Sequence, residues 1–245
     1  MALFKGKERA SAEAMARLTA VNPFLPERIG LEQEVLGDAF TATREVWSVD
    51  AELDGMNTNL EAVEARVQEL LDTVRARLAG GTTADAAEQR LYEDLVLYIL
   101  YGAYTREWRA ILDHDVASER PRKIKSYDDF ARTAEHYLSV RGYERGPRLD
   151  APFLFAYGYQ TYRAFHYVFR QLYGGSMAAA RLRAAVWQSI FSADRGRYRR
   201  ALVGRMHDYT TLVTGPSGTG KELVARAIGL SRFIPFDEDA RTFEK

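Results

Sequence analysis

Residues 53–104 read LDGMNTNLEAVEARVQELLDTVRARLAGGTTADAAEQRLYEDLVLYILYGAY. Apolar side chains recur at Leu53, Met56, Leu60, Val63, Val67, Leu70 and Val74, alternating steps of three and four. That period puts one apolar seam along a helix. Asp50 or Thr58 is placed to cap its start, and Gly80-Gly81 ends it. Thr83 is then placed to cap a second helix running to about Asp115. Its middle, LYEDLVLYILYGAY, is apolar on nearly every side, which predicts burial. The connection Gly-Gly-Thr-Thr is short enough for an antiparallel helical hairpin. About three heptads read as an internal bundle seam. An intermolecular coiled coil, and with it self-association, is the alternative.

Outward from this hairpin the chain stays helical. Residues 116–125, with Pro121, read as a loop. Ser126-Tyr-Asp-Asp129 has the form of a capping box, opening a helix that ends near Gly142. A second loop at 142–152 leads to Asp150-Ala-Pro152, a cap with proline in the first turn. The helix that follows extends to about Tyr173 and stops at Gly174-Gly175. Ser176 starts another, reaching about Phe191, and a short basic helix covers 193–206. No repeat or low-complexity tract interrupts the pattern, and no domain-sized β signal precedes residue 209.

The helix from 153 carries Phe155, Tyr159, Tyr162, His166, Phe169 and Tyr173 at steps of four and three. Such a stripe is either core, since aromatics bury much area, or the wall of a ligand pocket with His166 as its polar contact or a haem ligand.

The 245 residues contain 34 Lys and Arg against 34 Asp and Glu, so net charge names no partner. Residues 1–120 hold 13 basic against 22 acidic side chains, and the remainder holds 21 against 12. The two parts could attract one another, the basic one could face phosphate, or both could be solvated surfaces. With no cysteine, disulfides, thiolate metal sites and cysteine nucleophiles are excluded. The histidines (His114, His136, His166 and His207) lie too far apart for a zinc motif. The N-terminus has no apolar h-region, and the longest apolar run is about half of the roughly 20 residues a membrane span needs. A soluble, cytoplasmic protein without a membrane partner is expected.

Residues 209–213, YTTLV, form a β-branched and aromatic run that predicts a strand. Gly215-Pro-Ser217-Gly218-Thr219-Gly220-Lys221-Glu222 follows, and then the amphipathic ELVARAIGLSR. Strand, G-x-x-x-x-G-K and helix together make a Walker A context. Glycines at 215, 218 and 220 admit backbone angles that bring N–H groups to phosphate oxygens. The helix N-terminus adds partial positive charge, and Lys221 reaches for the β- and γ-phosphates. The generic motif has Ser or Thr after the lysine to hold magnesium, where this chain has Glu222.

TLVTGPSGTGKELVARAIG resembles the opening of the AAA+ domain of sigma-54-dependent transcriptional activators, the bacterial enhancer-binding proteins. In that family the loop typically reads GESGTGKE, so Glu222 matches the family pattern, and the next helix typically reads ELVARAIH. Pro216 and Gly229 depart from it. Arg232 and Pro235-Phe236 also match, so the resemblance spans residues 208–236. It implies ATP, with magnesium, bound by Gly215, Ser217, Gly218, Thr219, Gly220, Lys221 and Glu222. It also implies sigma-54 RNA polymerase as partner of the complete family protein. The family's Walker B pair, GAFTGA loop, sensors, arginine finger and helix-turn-helix domain do not fit in the nine residues after Phe236. No ATP hydrolysis and no DNA-binding motif are therefore expected from this chain alone.

The expected architecture is mainly α: a bundle of about six to eight helices at 1–205, in the position of the family's regulatory region, then a truncated strand–P-loop–helix unit at 206–245. Arg195, Arg197, Arg199, Arg200 and Arg205 lie just before that unit, as a docking linker or a solvated helix face. Two functions follow. One is transcription regulation through a nucleotide-responsive regulatory fragment. The other is a helical ligand- or protein-interaction module whose Walker segment is a remnant, because a parallel strand needs neighbours.

Overall fold

Why the 53–74 seam is internal follows from what covers it. The computed structural model describes residues 2–42, 58–118, 122–205 and 210–244. In it, α3 (Thr58–Ala79) packs against α1 (Lys7–Ala20), α2 (Glu27–Leu36) and α4 (Ala86–Ala117). Val63, Val67, Leu71, Val74 and Leu78 are fully buried, each contributing roughly 1.5–3 kcal/mol. Leu60 and Leu70 are only half-buried. Three neighbours cover a broader stripe than a two-helix seam, and burial shifts from Leu70 to Leu71. Asp50, Leu53 and Met56 lie outside the described residues.

The cap of α4 is Asp85, two residues beyond the expected Thr83. The Asp85 carboxylate accepts from the N–H groups of Ala87 and Glu88, and Glu88 returns a bond to the Asp85 N–H. An acid reaches these donors better than the threonine upstream. Buried Glu88 also accepts from the Leu3 N–H at 2.8 Å, tying the N-terminus to the bundle.

Ser126 precedes α5 (Tyr127–Leu138), yet it forms no capping box. Its backbone is already helical (φ −67°, ψ −12°), and its side chain makes no cap bond. Asp129 instead accepts from Tyr104 Oη at 2.7 Å and from Arg132. The helix ends at Leu138, short of Gly142. The next two caps form as expected. Asp150 accepts from the Phe153 N–H to open α6 (Ala151–Gln171), and Ser176 accepts from the Ala179 N–H to open α7 (Met177–Phe191).

The expected basic helix at 193–206 breaks into a single turn, α8 (Arg195–Arg197), and a π-helical turn (Tyr198–Leu202). This stretch is not a uniformly solvated face. Arg199 is 2 % exposed and donates to Glu93 and to the carbonyls of Pro147 and Arg148. Arg195 donates to the Thr19 carbonyl and Thr161 Oγ1, with its guanidinium over Trp187 and Phe191. Part of the basic excess after residue 120 is thus spent on internal acceptors.

The molecule is mainly helical, and α6 is its spine. One core cluster joins α1–α6, and a second joins α6, α7 and the 198–203 turn. At Gly158 a Cβ would stand 2.2 Å from Trp108 Cζ2, so glycine sets the approach of α6 to α4. No helix among the described residues is long and apolar enough to cross a membrane.

The strand expected at 209–213 is not formed. Tyr209 lies outside the described residues, 210–214 belong to no strand, and Leu212 is 83 % exposed. An extended chain needs a neighbouring strand for its N–H and C=O groups, and among the described residues no strand pairs with it. Strand structure appears instead in the charged tail, which carried no strand signal. There β1 (Phe236–Asp237) pairs antiparallel with β2 (Thr242–Phe243). Their phenylalanines pack on the bundle, with Phe236 4.6 Å from the Tyr127 ring and Phe243 4.3 Å from the Tyr159 ring, centroid to centroid.

Candidate functional site

The glycine loop stands at the N-terminus of α9 (Lys221–Leu230). The local sequence explains its shape. Gly218 (φ +77°) and Gly220 (φ +81°) take left-handed backbone angles that a side chain would strain. A Cβ at Gly218 would meet open space, so the demand there is conformational, not steric. Gly220 is the N-cap residue, which turns the chain abruptly into the helix.

All seven residues expected at the site, Gly215, Ser217, Gly218, Thr219, Gly220, Lys221 and Glu222, fall in this loop and the first turn of α9, with Gly220 and Lys221 half-buried and the others exposed. Thr219 Oγ1 donates to the Pro216 carbonyl at 2.8 Å. Lys221 Nζ curls back over the loop and donates to the carbonyls of Gly215 at 3.0 Å and Pro216 at 2.6 Å. The ammonium is therefore held by carbonyls of its own loop, while the first N–H groups of α9 lack the acceptor four residues back that interior groups have. A cation, helix-terminal donors and the positive end of the helix dipole occur together in this segment, a combination suited to an anionic oxygen. Glu222 lies in the first helical turn and is exposed.

What holds the loop is α9, and what holds α9 is the helical bundle. Ala227 is fully buried, and Val224 and Ile228 pack beside it in the cluster formed by α6 and α7. At the far end, Arg163 on α6 donates to the carbonyls of Leu230 at 2.6 Å and Arg232 at 3.3 Å. Gln160, one turn earlier, donates to the Ser231 carbonyl at 3.1 Å and to Tyr198 Oη at 2.6 Å. A guanidinium at a helix C-terminus satisfies orphan carbonyls and suits the dipole. Below, the hairpin is fastened by the Ile124 N–H to the Arg241 carbonyl and by Tyr127 Oη to Glu238.

Sequence reading missed Gln160 and Arg163. Their signal is slight: two polar residues inside an aromatic stripe, indistinguishable from surface positions until α9 is placed against them. The stripe itself is largely core. Phe155, Tyr159 and Phe169 are buried, and Phe155 meets Tyr127, Phe130 and Phe236. Burial raises the Tyr159 hydroxyl pKa, and its bond to Asp115 at 2.5 Å raises it further. His166 is half-buried; desolvation, then the neighbouring Arg170, push its pKa down. Tyr173 is 72 % exposed.

A cleft of about 470 Å³ lies away from the loop and the stripe, between α1, α2 and α4. Asp94 is on its wall, with its carboxyl pKa pushed up to about 6, chiefly by burial. No protein-family model matches the chain, and neither a curated protein nor a solved structure shows significant similarity to it.

Proposed function

We propose that residues 215–222 bind a nucleoside triphosphate with magnesium, and that the helical bundle is the regulatory module of a sigma-54-type transcription regulator. The observation that carries this reading is the loop's conformation. Glycines with positive φ at 215, 218 and 220 wrap beneath the Lys221 ammonium at a helix N-terminus. The regulatory part rests on the resemblance of residues 208–236 and on the contact of α9 with α6 and α7. Bound phosphate oxygens would displace the Gly215 and Pro216 carbonyls as partners of Lys221. Titration with a fluorescent ATP analogue and magnesium tests this. Saturable binding is expected, with Lys221→Ala removing it; no binding, or binding indifferent to Lys221→Ala, overturns the reading.

A second reading has its own observation. Residues 210–214 join no sheet, and the apolar face of α9 is used by helices. On that reading the chain is a helical ligand- or protein-interaction module in which the loop binds nothing.

A further inference from the structure

A second cleft, of about 380 Å³, opens between the first turn of α4, Pro147 and the π-helical turn. Ala86, Gln89, Arg90, Glu93, Pro147 and Arg200 line it. Glu93, its one lining carboxylate, is already engaged. Arg199 Nη2 donates to it at 3.0 Å and Tyr143 Oη at 3.3 Å, with side chains of the ion pair only 2 % and 9 % exposed. The acids around the rim are committed elsewhere. Asp85 caps α4 and feels the charge of Arg90, Asp194 caps α8 through the Arg197 N–H at 2.8 Å, and Asp94 lines the other cleft while feeling the charges of Arg199 and Arg200. Arg90 and Arg200 are exposed and make no hydrogen bond or ion pair among the described residues. Two arginines, 110 positions apart in the chain, thus line one concavity, and neither is held there by a hydrogen bond or ion pair among the described residues.

We propose that this cleft binds a small dianion, an organic phosphate or a dicarboxylate, between Arg90 and Arg200. Guanidinium forks match the paired oxygens of either group. Both arginines stand on fixed supports: Arg90 on a helix turn held by a capping box, and Arg200 on the π turn that Arg199 and Tyr198 anchor. The volume falls at the small end of the range for metabolite sites. Turns of π geometry recur at functional sites. Nothing here depends on the glycine loop.

Isothermal titration of the full chain with glycerol 3-phosphate, and separately with malonate, tests the proposal. Saturable binding of at least one probe is expected, and the tighter one identifies the head group. Arg90→Gln and Arg200→Gln each weaken it about tenfold. Arg200→Lys weakens it less. Circular dichroism checks that these surface variants keep the fold. Saturation by neither probe overturns the proposal, as does binding that Lys221→Ala removes while the arginine variants leave it intact.

Discussion

The α3–α4 hairpin and the chain entering the glycine loop meet one backbone requirement in opposite ways. Inside α3 and α4 each interior N–H has a carbonyl four residues back, so the helices need only an apolar partner, and each supplies one to the other. Residues 210–214 are rich in β-branched side chains, but a strand takes its partners from other chain segments. Among the described residues no strand pairs with them, and Leu212 stands in solvent. The 236–243 hairpin marks the boundary between these cases: its middle, DEDAR, lacks strand formers, yet each short strand is the other's partner and two phenylalanines reach the core. Helical signals are thus sufficient where an apolar face is covered, whereas strand signals depend on what else the chain brings.

The contrast can be broken by substitution. The largest effect is expected at Glu93, whose removal leaves Arg199 charged and buried. Glu93→Ala should lower stability by roughly 3–5 kcal/mol in urea unfolding. A loss below about 1 kcal/mol would mean that the bundle does not depend on this pair.

Asp94 should act in the opposite direction. Its folded pKa, about 6, is above the ordinary aspartate value of 3.8. The cost of ionising it is therefore present above pH 6 and relieved as pH falls through 6 toward 3.8. Asp94→Asn should raise stability at pH 7.5 by roughly 2 kcal/mol, with the gain vanishing near pH 4. A gain that persists at pH 4 would trace to something other than the charge.

Arg163→Ala tests whether α9 belongs to the bundle. About 1–3 kcal/mol should be lost from two carbonyl caps. The loss should appear as faster amide exchange in residues 221–231, with α3 and α4 unchanged. Asp85→Ala should cost about 1 kcal/mol through the α4 cap. The smallest effect belongs to the residue with the plainest strand signal: Leu212→Ser should change stability by less than about 0.5 kcal/mol, and a larger loss would mean that the segment is covered.

Much of this architecture was readable along the chain because its signals are local. The α3 period, the Asp150 and Ser176 caps and the glycine stops all act within a few residues. The α4 cap slipped by two positions because Thr83 and Asp85 both suit the role, and only the acid meets the donors. The glycine loop was legible for the same local reason, since its angles are set by its own residues. The grip of Arg163 and Gln160 on α9 was not, because those partners lie about 70 positions away and their polarity alone does not say inward or outward. The division of the arginine run was hidden too: Arg199 turns inward only because Glu93, 106 positions earlier, waits there.

Amide hydrogen exchange at residues 218–223, with and without ATP and magnesium, tests the central claim most directly. If the loop holds phosphate through backbone donors beside Lys221, exchange there slows on addition of nucleotide and Lys221→Ala abolishes the slowing. Exchange that nucleotide leaves unchanged, with α9 still protected on the bundle, would contradict the claim and leave the helical module as the function.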